Sequence, residues 1–95
     1  MNKIIFLNGS DDMKKFLVVI ERKPSFTGKS IPDHREFLQE LARNEKLVLA
    51  GGFANQSGGA YVLKSSTIEE AEILVSKDPM NQEGDCKYSI KEWNI

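Results

Sequence analysis

At 95 residues the chain has room for one domain of the usual roughly 100–200 residues, which excludes a separate cofactor domain, a second catalytic domain or a repeat array. Its 13 Lys+Arg and 14 Asp+Glu leave a net charge of −1, so no excess positive field marks it for nucleic acid or for a membrane surface. Hydrophobic residues at 40% and charged residues at 28% match folded domains and exclude a disordered or collagen-like chain.

The chain opens on Ile4-Ile5-Phe6-Leu7 followed by Asn8-Gly9-Ser10-Asp11-Asp12, a run too short and too polar in its second half for a signal peptide. Residues 1–12 read either as a dispensable extension before Met13 or as an extra strand along the sheet or against a partner chain. Phe16 to Ile20 is all apolar and partly β-branched, which predicts a central strand buried on both faces. Glu21-Arg22-Lys23-Pro24 ends it, and a loop through Gly28 follows.

A helix is expected next. Ser30 with Asp33, or Asp33 with Glu36, supplies capping-box chemistry, and Pro32 suits a first turn. His34, Phe37, Leu38 and Leu41 fall on one stripe while Arg35, Glu36, Gln39, Glu40 and Arg43 face away. Leu47 to Ala50 and Tyr61 to Leu63 form two strands of a hairpin joined by a long glycine-rich loop from Gly51 to Gly59. Thr67 and Glu70 cap a second helix whose stripe runs Ile68, Ala71, Leu74, Val75 and Asp78 before Pro79 stops it. Cys86, Tyr88 and Ile90 alternate with Lys87, Ser89 and Lys91 in a fourth strand that leads to Trp93.

The order β-α-β-β-α-β is the split βαβ arrangement of ferredoxin-like sandwiches, with an antiparallel sheet ordered 4-1-3-2 and both helices on one face. The fold class is therefore α+β. In this topology the start of the first helix and the end of the second lie at the same end of the molecule, so His34 and Asp78 should converge. An Asp in the last turn of a helix faces the negative end of the helix dipole and calls for a donor, which His34 can be. Asp78 would then fix the tautomer of an imidazole placed to act as a general base. The same pair also reads as a structural hydrogen bond tying two helix ends together.

Cys86 cannot form an internal disulfide, which with the absence of a signal peptide makes the chain a cytoplasmic one, and no apolar run approaches a membrane span. One His, one Cys and no CxxC or HxxxH pair fall short of a metal site, so neither metal nor organic cofactor is expected. Cys86 reads as a small buried hydrophobe. Gly51 and Gly52 could offer backbone N–H groups to an anionic substrate, as could Arg22, Lys23 and Lys29 with their charges. Phe26 and Phe53 could cover a pocket at that end, and Tyr88 and Trp93 could serve an inter-sheet cavity or a dimer core. A domain this small buries only roughly 60–65% of its unfolded surface, so pairing with a second copy is expected to help it.

Taken together, His34 opening the first helix, Phe37-Leu38 and Leu41 behind it, Leu49-Ala50-Gly51-Gly52, Ile68-Glu69-Glu70-Ala71, Asp78-Pro79 and the terminal Trp93 resemble the YciI-like (YCII-related) domain. That family belongs to the dimeric α+β barrel superfamily, and the likeness runs from about Met13 to Trp93, one domain over residues 13–95. The resemblance implies a homodimer through facing sheets and a His34–Asp78 dyad at an active site. It also implies cofactor-independent acid/base chemistry, since one member is similar to a dehydrochlorinase acting on a chlorinated hydroxyhydroquinone. Relatives often carry an arginine shortly before the His, where this chain has Ser30-Ile31-Pro32, and an aromatic after Asp-Pro, where it has Met80. Two functions follow: a small lyase or isomerase with catalytic His34 and Asp78 and substrate contacts from Gly51, Gly52, Phe53, Arg22 and Met80, or a non-catalytic dimeric module that binds a small ligand or a partner protein.

Overall fold

The computed structural model describes residues 13–95, and both readings of residues 1–12 lie outside the described residues. The first strand, β1 (Lys14–Arg22), buries Phe16, Val18 and Ile20 on one face, whereas Leu17 and Val19 on the other are only half-buried. The expectation of a strand buried on both faces is thus corrected. The helices pack on one side of the sheet, and among the described residues no helix covers Leu17 and Val19.

Helix α1 (Ile31–Arg43) lays Leu41 into the core and packs Ile31, Phe37 and Leu38 against it, while Glu36, Gln39, Glu40 and Arg43 stay exposed. Its entry departs from the expected capping box. Ser30 holds φ −93° and ψ 3° instead of the extended backbone that aims a cap side chain at the helix, and it makes no side-chain cap bond. A backbone turn does the work: Ile31 N–H donates to the Gly28 carbonyl at 3.1 Å and His34 N–H to the Ser30 carbonyl at 2.9 Å.

Strands β2 (Leu47–Gly52) and β3 (Gly58–Ser65) extend further than expected, so the glycines belong to the strands and only residues 53–57 turn between them. Steric room explains this. A Cβ on Gly59 would sit 2.5 Å from the Gly51 carbonyl oxygen, and one on Gly58 would sit 1.8 Å from that of Ile20. Glycine at these two positions lets three strands approach at their ends.

Helix α2 (Ile68–Ser76) is capped by Thr67, whose Oγ1 accepts the Glu70 N–H at 3.1 Å, and it buries Ala71 and Val75. Asp78 does not lie in its last turn. It caps a third helix, α3 (Pro79–Glu83), with its Oδ1 accepting the Met80 N–H at 3.0 Å, and Pro79 opens that helix instead of simply ending the previous one. The unfavourable dipole placement argued from the sequence is thus removed, since a carboxylate is welcome at a helix start. The break is held by side-chain amides: Asn81 Nδ2 donates to the Val75 carbonyl at 3.1 Å and Gln82 Nε2 to that of Ser76 at 3.2 Å. Gly84, at φ +84°, closes α3 and leads into β4 (Cys86–Glu92).

The four strands form one antiparallel sheet in the order β2-β3-β1-β4, the order expected, with α1, α2 and the additional α3 against it. Registers pair Val18 with Tyr61 and Ile20 with Tyr88, which sets both tyrosines on the helix-facing side. No helix among the described residues is long and apolar enough to cross a membrane.

Candidate active site

His34 comes from the first turn of α1 and Asp78 from the cap of α3, and the fold brings them together. His34 Nδ1 lies 2.9 Å from both carboxylate oxygens of Asp78. Asp78 is 0% exposed, so its charge is held entirely by protein donors. Besides His34 and the Met80 N–H, Tyr88 donates its hydroxyl to Oδ2 at 2.8 Å and Tyr61 donates to the same oxygen at 3.4 Å. Four donors nearly fill what a carboxylate can accept, which is the condition under which a buried charge is tolerated.

The two tyrosines answer to that charge. Burial, then the adjacent Asp78 charge and the hydrogen bond to it, push both phenols well above the usual tyrosine range, so both remain protonated donors. Against an ionised Asp78, which only accepts, the neutral His34 ring places its proton on Nδ1 and its lone pair on Nε2.

A cavity of about 270 Å³ adjoins the pair, walled by α1 on one side and by the ends of β1, β2 and β3 on the other. His34 and Tyr61 both line it. So do Arg22, Gly51, Gly52 and Met80, four of the five residues expected to contact a substrate. Phe53 does not. It sits in the β2–β3 turn, where its N–H donates to the Gly58 carbonyl at 2.8 Å and the residue is 39% exposed.

Lys23 and Lys29 are also turned to other work. Lys23 Nζ donates to the Gly84 carbonyl at 3.0 Å, and Lys29 Nζ pairs with Glu83 at 3.1 Å, both at the end of α3. Phe26 lies under the Arg22 guanidinium, 4.3 Å from it. Cys86 is buried against the cavity, and burial, with the Asp85 charge next to it, raises its thiol, which suits packing and not nucleophilic attack.

Sequence reasoning missed three residues here. Arg35, expected to face away, lines the cavity. Tyr61 and Tyr88 were not connected to Asp78, although a signal was present: an inward tyrosine needs a partner for its hydroxyl, and Asp78 was the one acceptor expected at that end.

A ferredoxin-like α+β domain with an imidazole–carboxylate pair at a cavity defines the class of this protein. The chain belongs to the YCII-related domain family, whose model matches residues 14–94. It is 32% identical over 83 residues to the uncharacterized protein YjpA of Bacillus subtilis (strain 168), a match that spans 87% of this chain and 98% of that one. Among solved structures it resembles the 5-chloro-2-hydroxyhydroquinone dehydrochlorinase TftG from Burkholderia phenoliruptrix AC1100, in complex with 2,5-dihydroxybenzoquinone, with a TM-score of 0.69 and 17% identity. That likeness covers 84% of this chain and 93% of TftG. A second structure, MtbAldR, aligns at a TM-score of 0.60 and 13% identity over 96% of this chain and 61% of its own longer one. Both likenesses show the α+β fold alone.

Proposed function

We propose that the protein is a small, cofactor-independent enzyme that moves protons on a small polar or aromatic molecule, by lyase or isomerase chemistry. One observation carries this reading: the His34 ring lines a cavity while its Nδ1 is held 2.9 Å from a fully buried carboxylate. A merely structural pair would be sealed, whereas the His34 side chain keeps 12% of its surface exposed.

In this mechanism Nε2 of His34 takes a proton from a carbon or hydroxyl of the bound molecule, and Asp78 orients the ring and stabilises the imidazolium that forms. The electron pair left on the substrate forms a new double bond. In an elimination it expels a leaving group, such as chloride, with its own bonding pair; in an isomerisation the imidazolium returns the proton to another atom. The dehydrochlorinase fold-mate supports an elimination, because its substrate is of the size and kind that such a cavity takes. Arg22, Gly51, Gly52 and Met80 supply the substrate contacts, and Phe53 is not assigned one.

The homodimer belongs to the same reading. The sheet face turned from the helices carries the half-buried Leu17 and Val19 and also Leu49, which is 58% exposed, and this supports a second copy packing sheet to sheet.

Turnover is tested on a panel of chlorinated and hydroxylated phenols that includes 5-chloro-2-hydroxyhydroquinone, with chloride release and deuterium uptake from D2O as readouts. His34→Gln should lower the rate by about 10²–10⁴-fold and leave the melting temperature nearly unchanged. A rate unaffected by His34→Gln, or neither chloride release nor deuterium uptake with any compound, overturns the proposal.

A further inference from the structure

The charged side chains that line the cavity itself are cationic, and the Asp78 carboxylate lies behind His34, outside that lining. Two cations, Arg22 and Arg35, line the cavity, and none of its lining residues is Asp or Glu. Other basic groups are paired: Lys29 holds Glu83 at 3.1 Å, and at the far end of α1 Arg43 bridges Glu36 at 2.9 Å and Glu40 at 2.6 Å. Neither Arg22 nor Arg35 has a carboxylate partner among the described residues. Arg22 stands over the Phe26 ring at 4.3 Å, a contact that orients a guanidinium without neutralising it. In a chain of net charge −1, these two arginines present positive charge at the cavity wall, while the charge of Asp78 is taken up by its four hydrogen-bond donors.

The rest of the lining is apolar, through Ile20, Ile31, Leu38 and Ala50, and the volume of about 270 Å³ is small for a ligand site. It holds a body of one ring. We infer that the cavity selects a small organic anion, a ring-sized molecule whose carboxylate or acidic enolate oxygen meets Arg22 and Arg35 while its body lies against the apolar wall beside His34. Arg35 is then a specificity-determining residue. This rests on the reading that the His34 cavity is the reactive site, and it adds the substrate's charge. A bidentate guanidinium contact recognises such an oxygen pair by geometry as well as charge.

The test compares two probes of nearly equal shape, 2,5-dihydroxybenzoate and its uncharged amide, 2,5-dihydroxybenzamide, by titration calorimetry. Because the chain has one histidine, the imidazole NMR signal reports whether a probe occupies this cavity. The acid should bind about ten-fold or more tightly than the amide, shift the His34 resonance, and weaken as salt is raised. Arg35→Gln, on an exposed helix position, should erase most of that preference, and Arg22→Gln together with it should erase the remainder.

Equal affinity for acid and amide, no binding of either at millimolar concentration, binding that leaves the His34 signal unmoved, or a preference that survives the double variant overturns the inference. His34→Gln keeps both arginines. If it still prefers the acid while no compound turns over in the wild type, the charge selection stands and the catalytic proposal fails; turnover of uncharged compounds alone has the reverse meaning.

Discussion

At the scale of single residues the site is organised around the charge of Asp78. Its four donors come from α1, α3, β3 and β4, so the carboxylate ties together elements that are distant in the chain. Asp78→Asn would turn one acceptor into an amide donor facing donors. Each hydrogen bond lost this way costs about 1–3 kcal/mol, and about 4–8 °C of melting temperature per kcal/mol in a domain of this size, which thermal unfolding can read. The tyrosines predict the alkaline limit. Their folded-state titration is raised above the unfolded value near 10 by burial and then by the Asp78 charge, so their contribution is full below about pH 10 and is lost as pH rises beyond it. Urea midpoints measured from pH 8 to 11.5 should fall above pH 10, and Tyr88→Phe should flatten that fall. An undiminished slope in the variant would place the alkaline transition elsewhere.

Among the elements, the two strand ends at the cavity show which glycines are fixed by packing. Gly59→Ala would drive a Cβ to 2.5 Å from a backbone oxygen of the neighbouring strand and should cost about 1–3 kcal/mol. Gly52→Ala places its Cβ no nearer than 3.8 Å to its nearest neighbour, the Gly58 carbonyl oxygen, so its melting temperature should stay close to that of the wild type while the cavity narrows. Chemical denaturation of the pair separates the two cases. The sequence carried the glycine cluster plainly but not its use, because a run of glycines marks a loop and a close strand approach equally well. Helix α3 was hidden for a related reason. Five residues show no apolar periodicity, and Asp78-Pro79 signals a helix stop as readily as a helix start.

For the whole molecule, the sheet leaves one face without a helix among the described residues, and the proposed dimer covers it. Leu49 is a sharp probe because it is exposed in the single chain and its replacement removes no core contact of consequence. Sedimentation should give a dimer for the wild type and a monomer for Leu49→Glu, with the far-UV spectrum unchanged; a Leu49→Glu protein that still sediments as a dimer would move the interface away from this face. A mutual burial of two sheets also lies nearer the size at which a small domain gains stability than its own core does.

Between residues 13 and 95 the sequence by itself determined the four strands, the two long helices, their order and hence the sheet topology, since apolar periodicity and capping residues are local signals that report element type directly. It also determined that His34 and Asp78 would meet, because topology alone assigns both to one end of the molecule. Tertiary structure decided how they meet. Asp78 serves as a helix start instead of a helix end, Tyr61 and Tyr88 donate to its carboxylate, and Arg35 lines the cavity while Phe53 does not. Each of these depends on distances across the sheet and between helix ends, to which a hydrogen bond or an ion pair is sensitive within a few tenths of an ångström. No spacing along the chain encodes that. The candidate site thus lies in the gaps between elements.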